Sequence, residues 1–160
     1  MEDIVIRKAE RADVPQILEF IRSLAVYEKM EDQVVADEKL LEEWIFDKGR
    51  AEVLLASYKG EPAGFALYFH NFSTFLGRAG IYLEDLFVKQ EYRDLGIGTA
   101  LLKKLAETAV TEGCGRLEWS CLDWNEPSIG FYKSLGAVPM DDWTVYRVTG
   151  EALKKLGSAE

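Results

Sequence analysis

The chain has 160 residues, a formal net charge of −9 at pH 7 and 48% hydrophobic residues. This length and composition predict a single domain over residues 1–160 that is large enough to bury a core. The acidic balance argues against a protein that binds nucleic acid through a general phosphate-neutralising surface, and it is compatible with a cationic partner.

Other function classes are also disfavoured. No apolar run approaches the roughly 18–20 residues of a membrane span. The acidic start lacks a signal-peptide pattern, so a cytoplasmic protein without membrane partners is expected. Two cysteines, Cys114 and Cys121, are too few for a disulfide framework or a metal cluster, and free thiols are expected. The single histidine, His70, argues against a Ser–His–Asp hydrolase and a His-ligated zinc site, so no metal is expected.

In the first half of the chain the sequence predicts one strand, two helices and then two more strands. Residues 4–7 predict a strand, and a helix is expected to start at Asp13, with Pro15 in its first turn. Asp37 is expected to cap a second helix. Strands are expected over residues 53–58 and 62–69, joined by a tight turn at Lys59 and Gly60, with a loop over residues 71–80.

The second half predicts a strand over residues 81–89, a long helix over 96–112, a strand over 117–122 and a short helix over 126–134. A last strand is expected over residues 144–148 and a C-terminal helix over 150–156. The order β-α-α-β-β-β-α-β-α-β indicates an α+β fold. We expect a mixed, mostly antiparallel sheet flanked by helices, with a βαβ crossover around residues 81–122.

A glycine-rich turn, with Gly96 and Gly98, opens the long helix. A helix N-terminus presents unpaired N–H groups and partial positive charge, and glycines let the backbone approach a phosphate closely. Arg93 adds a cation. The turn lacks the Gly-Lys-Ser/Thr of a Walker A loop, and Leu101 stands where a Rossmann fingerprint needs Gly or Ala. The pattern predicts a pyrophosphate cradle, and the alternative is a helix start that binds no ligand.

Two segments, Arg93-Asp94-Leu95-Gly96-Ile97-Gly98 and the run from Asn125 through Ser128 and Tyr132 to Gly136-Ala137, carry a resemblance. They are similar to the Arg/Gln-x-x-Gly-x-Gly/Ala and Asn-x-x-Ala/Ser-x-x-x-Tyr-x-x-x-Gly-Phe/Ala patterns of the GCN5-related N-acetyltransferase (GNAT) family. Residues 25–34, 82–88 and 124–132 also resemble its spermidine/spermine (diamine) branch, which includes thialysine acetyltransferases. The predicted order of elements agrees with a GNAT-like fold.

The resemblance implies acetyl-coenzyme A as a co-substrate and a general acid for the departing thiolate. The resemblance implies that Tyr132 is this acid. In the alternative, Tyr132 is only an aromatic residue of the core beside Phe131. Asn125 would bond the pantetheine arm, cap the following helix, or do both. Backbone N–H groups of residues 86–88, in the strand expected over residues 81–89, would pair with the pantetheine amides. The residues that would contact the coenzyme are Leu86, Phe87, Val88, Arg93, Asp94, Leu95, Gly96, Ile97, Gly98, Thr99, Asn125 and Ser128.

Amide formation from a thioester needs a neutral amine, whereas an alkyl amine with a pKa near 10.4 is protonated at pH 7. Glu84 is predicted as the base, directly or through water. In the alternative, Glu84 and Asp85 only hold the cationic substrate. Because successive strand side chains point to opposite faces, the two residues are not expected to share one task. The expected substrate-binding residues are Tyr27, Glu28, Glu84, Asp85, Glu118 and Trp119.

The predicted function is transfer of acetyl from acetyl-coenzyme A to a primary amine of a polyamine or diamine, by direct attack in a ternary complex. One alternative changes the acceptor to thialysine, another amino acid or a protein amine. Another is a non-catalytic acyl-coenzyme A sensor. Residues 28–48 carry eight acids against three lysines, which would attract a polycation. The resemblance also implies a homodimer.

Overall fold

The computed structural model describes residues 3–158 and places them in two compact units, one up to Ser120 and one from Cys121 onward. The first unit contains β1 (Ile4–Lys8), α1 (Val14–Tyr27), α2 (Glu38–Leu41), a π-helical turn (Glu42–Asp47), β2 (Glu52–Tyr58), β3 (Glu61–Ser73), β4 (Arg78–Val88), α3 (Ile97–Glu112) and β5 (Leu117–Trp119). The second contains α4 (Glu126–Ser134) and α5 (Gly150–Leu156). Of the helices among these residues, none is long and apolar enough to cross a membrane.

The sheet has the order β1-β2-β3-β4-β5. Strands β1 to β4 pair antiparallel, and β5 lies parallel to β4. The parallel pair is joined through α3, because parallel neighbours need a long crossover connection. The predicted α+β class and its βαβ crossover are therefore confirmed. The prediction of one domain over residues 1–160 stays a prediction.

The core of the first unit lies between α1 and the sheet. Phe20 of α1 stacks on Phe65 of β3, with ring centroids 5.4 Å apart, and a tilted contact of 6.3 Å joins it to Phe87 of β4. Residues 53–56 of β2 and 63–66 of β3 are buried without a break. Because successive strand side chains point to opposite faces, both faces of the sheet are covered there. Helix α3, whose Leu101 and Leu105 are fully buried, also packs against the sheet.

Strand β4 contains a bulge. Asp85 pairs with Leu67 of β3, but the next pair is Leu83 with Tyr68. Adjacent residues on β3 thus pair with residues that are two positions apart on β4, and Glu84 is the additional residue between them. Leu67 packs against the α1 side of the core, so its partner Asp85 faces the same side. The bulge therefore places two adjacent acidic residues in different surroundings.

Two predicted segments are wrong. The expected loop over residues 71–80 is mostly hairpin, because β3 runs to Ser73 and β4 starts at Arg78. The strand expected over residues 144–148 does not form among the described residues, and Val145 and Tyr146 there are 80% and 91% exposed. A strand needs a ladder of hydrogen bonds to a neighbour, which β-branched and aromatic residues alone do not supply. Strand β5 is also shorter than expected.

Candidate active site

The glycine-rich turn forms an open helix N-terminus. Asp94 and Gly96 have left-handed backbones, with φ of 66° and 88°, and Gly96 is the N-cap of α3. No side chain caps the helix there, so its first N–H groups face outward. Ile97 is buried and anchors the turn, while a Cβ built on Gly98 would meet nothing within 4 Å. The backbone here fits the pyrophosphate of a coenzyme.

Arg93 is held in a fixed orientation beside this turn. Its Nε donates a hydrogen bond of 2.9 Å to the Val88 carbonyl oxygen. Its guanidinium carbon lies 5.0 Å from the ring centre of Tyr27 and 5.7 Å from that of Phe87. This hydrogen bond is made by Nε and does not involve the two Nη groups of the guanidinium. The arrangement fits a cation that approaches an anion at the start of α3.

Beyond Leu83, β4 has an open edge. Strand β5 pairs with β4 only from Ile81 to Leu83 among the described strands. The Lys89 N–H donates to Ala63 of β3 at 2.8 Å. Because backbone groups alternate along a strand, the N–H groups of Leu86 and Val88 point away from β3, on the open side. This edge can pair with an extended chain that contains amides, such as pantetheine.

Three carboxyl groups, those of Glu28, Glu84 and Asp85, interact where the end of α1 meets the bulge of β4. Burial, followed by the charges of Glu84 and Glu28, raises the pKa of Asp85 to about 7. Burial and Glu84 also raise the pKa of Glu28. Glu84 itself is exposed. The group can attract a cation and exchange a proton near neutral pH.

Asp85 is thus a second candidate for the base, because burial raises its pKa to about 7, and the role of Glu84 as the base stays a prediction. The sequence signal was available in retrospect, because Asp85 lies within a strand between Leu83 and the buried Phe87. What the sequence did not contain was the bulge that separates the surroundings of the two acids.

The other predicted substrate residues of this unit have structural contacts. Glu118 on β5 accepts a hydrogen bond from Asn71 Nδ2 and lies near Arg116 Nε, both at 3.1 Å from its Oε1. Trp119 is half-buried and pairs with Leu83 across the β4–β5 ladder. Tyr27 is the last residue of α1 and contacts Arg93. These contacts give Glu118 a role in holding the sheet edge.

The second unit carries the remaining predicted residues on α4. Asn125 is buried and is the N-cap of the helix, where its Oδ1 accepts a hydrogen bond from the Ser128 backbone N–H at 3.4 Å. Asn125 thus caps the helix that follows it, which is one of the two roles expected from the sequence. Tyr132 is half-buried, and its ring centre lies 5.7 Å from that of Phe131.

Comparisons with known proteins agree with this geometry. Residues 16–137 match the model of the Acetyltransferase (GNAT) family. A thialysine N-epsilon-acetyltransferase of Bos taurus is 41% identical over 98% of both chains. The spermidine/spermine N(1)-acetyltransferase-like protein 1 of Homo sapiens is 33% identical over all of this chain and 24% of its own length. The solved integron cassette protein VCH_CASS6, from the mobile metagenome of V. cholerae, superposes with a TM-score of 0.83 at 29% identity, covering 99% of this chain and 100% of its own.

The family model covers most of the chain, and members of this family use acetyl-coenzyme A, for which the open start of α3 and the open edge of β4 are suited. The chain is an N-acetyltransferase and belongs to the GNAT family, in the branch of the diamine acetyltransferases.

Proposed function

We propose that this protein transfers acetyl from acetyl-coenzyme A to a primary amine of a polyamine or diamine, by direct attack in a ternary complex. The observation that carries the proposal is the group formed by Glu28, Glu84 and Asp85 beside the open edge of β4. Three interacting carboxyls favour a ligand with more than one positive charge and no carboxylate of its own.

In this proposal the backbone holds the coenzyme. The N–H groups of Leu86 and Val88 pair with the pantetheine amides, and the start of α3 with Arg93 holds the pyrophosphate. When bound, acetyl-coenzyme A supplies the acetyl group as a thioester. A backbone N–H on the open edge polarises the thioester carbonyl as negative charge develops on its oxygen.

The acceptor amine arrives protonated and must lose a proton before it can attack. We assign this step to Asp85, because a base whose pKa is near 7 matches the working pH. Glu84 and Glu28 then hold the cation. Tyr132 donates a proton to the departing thiolate, a role that rests on the resemblance of the segment from Asn125 to Tyr132.

The pH dependence of kcat/KM distinguishes Asp85 from Glu84 as the base. For the wild type, kcat/KM rises as pH increases through about 7, because the base must be ionised. Asp85→Asn should lower kcat/KM by about 100-fold and remove this rise with pH. Glu84→Gln should raise KM and keep the rise, but move it to lower pH, because the charge of Glu84 helps to raise the pKa of Asp85. If the rise of kcat/KM with pH is lost in Glu84→Gln and kept in Asp85→Asn, the base is Glu84.

The acceptor is tested with a panel of amines, read by release of free thiol from acetyl-coenzyme A. Putrescine and spermidine should give higher kcat/KM than thialysine or a peptide amine. Intersecting initial-velocity lines are expected for direct transfer, and parallel lines would overturn it.

A second candidate acceptor, thialysine, is favoured by the 41% identity to the Bos taurus enzyme. The methyl ester of thialysine provides a matched control, because it removes the carboxylate and keeps the reacting amine. If the free amino acid is used better than its ester and better than putrescine, the protein is an amino-acid acetyltransferase. The expected homodimer and cytoplasmic location stay predictions, and sedimentation tests the first.

A further inference from the structure

Three side chains from two distant parts of the sequence meet at the C-terminal end of α3. They are His70 on β3, Glu112 at the last position of α3 and Cys114 just after it. One ligand atom from each lies within 4.8 Å of the others. His70 Nε2 is 2.7 Å from Glu112 Oε1, and the Cys114 Sγ is 3.9 Å from that same oxygen.

This set of atoms matches the coordination chemistry of zinc. Imidazole nitrogen, carboxylate oxygen and thiolate sulfur are the ligands that Zn²⁺ takes in proteins. In a tetrahedral site with bonds of roughly 2.0–2.3 Å, neighbouring ligand atoms are about 3.4 Å apart. The two contacts of 2.7 and 3.9 Å lie on either side of that spacing. Small rotations of His70 and Glu112, both partly exposed, would bring the atoms to it.

A fourth residue, Glu52, faces the other nitrogen of the histidine ring from beyond hydrogen-bond distance. Glu52 Oε2 lies 3.8 Å from His70 Nδ1, on the side of the ring opposite Glu112. The other oxygen of Glu52 is held by Lys8 Nζ at 2.6 Å. A carboxylate facing the second nitrogen of a ligating histidine is the usual outer partner in zinc sites, because it fixes the ring and its tautomer. Glu52 has this position here.

We propose that His70, Glu112 and Cys114 bind a Zn²⁺ ion at the surface of the first unit, with Glu52 as the outer partner of His70 and water in the fourth position. The site is separate from the proposed coenzyme site. Helix α3 has 16 residues, so its two ends are about 24 Å apart at 1.5 Å per residue. The ion would link the end of α3 to β3.

The site is tested by titrating the reduced, full-length protein with Co²⁺, whose charge-transfer absorption reports a bound thiolate, and with Zn²⁺ in calorimetry. We expect saturable binding of one ion per chain, a thiolate–cobalt band that Zn²⁺ displaces, and a higher melting temperature in Zn²⁺. Cys114→Ser should abolish the band. His70→Gln and Glu112→Gln should weaken Zn²⁺ binding at least 10-fold, and Glu52→Gln about 10-fold.

Matched controls use equivalent side chains outside the cluster. Cys121→Ser changes the other thiol and Glu107→Gln changes another exposed glutamate of α3, and both should leave metal binding unchanged. Thermal melts without metal check that each variant is folded. Absence of the band in the wild type, non-saturating binding, or a band lost in Cys121→Ser but kept in Cys114→Ser would overturn the proposal.

Discussion

Arg93 and Val88 are joined by a hydrogen bond of 2.9 Å from the guanidinium Nε to the backbone carbonyl oxygen on the open side of β4. The bond ties the glycine-rich turn to the strand end that precedes it. One side chain thereby sets the position of the turn and provides positive charge beside it.

We therefore expect Arg93→Lys to weaken coenzyme A binding about 10-fold, although the charge is kept. A lysine ammonium lacks the planar guanidinium that bonds the Val88 carbonyl oxygen through Nε while it lies over the rings of Tyr27 and Phe87. Calorimetry with coenzyme A measures the change. Arg22→Lys, at an exposed position of α1, is the matched control and should bind as the wild type does. Equal affinity in both variants would remove the orienting role of Arg93.

Gly98→Asp separates folding from anion binding. A Cβ at Gly98 has open space, and a carboxylate in the first turn stabilises a helix by roughly 0.3–1 kcal/mol. The same charge repels a pyrophosphate. We expect unchanged or higher thermal stability together with at least 100-fold weaker coenzyme A binding. Gly98→Ala, the uncharged control, should bind within about threefold of the wild type, consistent with the family's Gly/Ala pattern. Tight binding by Gly98→Asp would place the pyrophosphate elsewhere.

Asp85→Asn should make the protein more stable at pH 8. The pKa of Asp85 is about 7 in the folded protein and near 3.9 when unfolded. Its contribution to stability is thus present below about pH 4 and is lost as pH rises to about 7, because only the unfolded state ionises freely in that window. The amide removes this cost, so the free energy of unfolding should increase by about 1–3 kcal/mol at pH 8.

Urea unfolding between pH 5 and pH 8 tests this expectation. The difference between Asp85→Asn and the wild type should grow as pH rises. Asp142→Asn, at an exposed position of the second unit, is the matched control for the same change of side chain. A constant difference for Asp85→Asn would mean that its carboxyl is already ionised at pH 5.

Tyr132→Phe should lower kcat by about 100- to 1000-fold if the hydroxyl donates a proton to the leaving thiolate. Coenzyme A affinity should stay within about threefold, because the ring and its contact with Phe131 are kept. Tyr146→Phe is the control, since that tyrosine is 91% exposed, and it should leave kcat unchanged. An unchanged kcat in Tyr132→Phe would exclude Tyr132 as the acid.

Local signals in the sequence were enough to predict where the helices begin and end. Gly96 before α3 and Asn125 before α4 each occupy the predicted place, because a cap depends on residues a few positions away. The glycine-rich turn was predictable for the same reason.

Features that depend on distant pairing were not predictable. The bulge at Glu84 exists only because β3 supplies one residue fewer than β4 over the same span. His70 and Glu112 are 42 positions apart and meet only because α3 crosses back over the sheet. For residues 144–148, a strand-like composition did not supply a partner strand.

The bulge also means that Glu84 can be deleted, not only substituted. Leu83 and Asp85 already pair with the adjacent residues Tyr68 and Leu67, on opposite faces of the sheet. Removing the residue between them would restore a regular ladder in which every other side chain keeps its face. A one-residue deletion, ordinarily among the most damaging changes in a central strand, should here give a folded protein that lacks a single carboxylate and the local kink of β4.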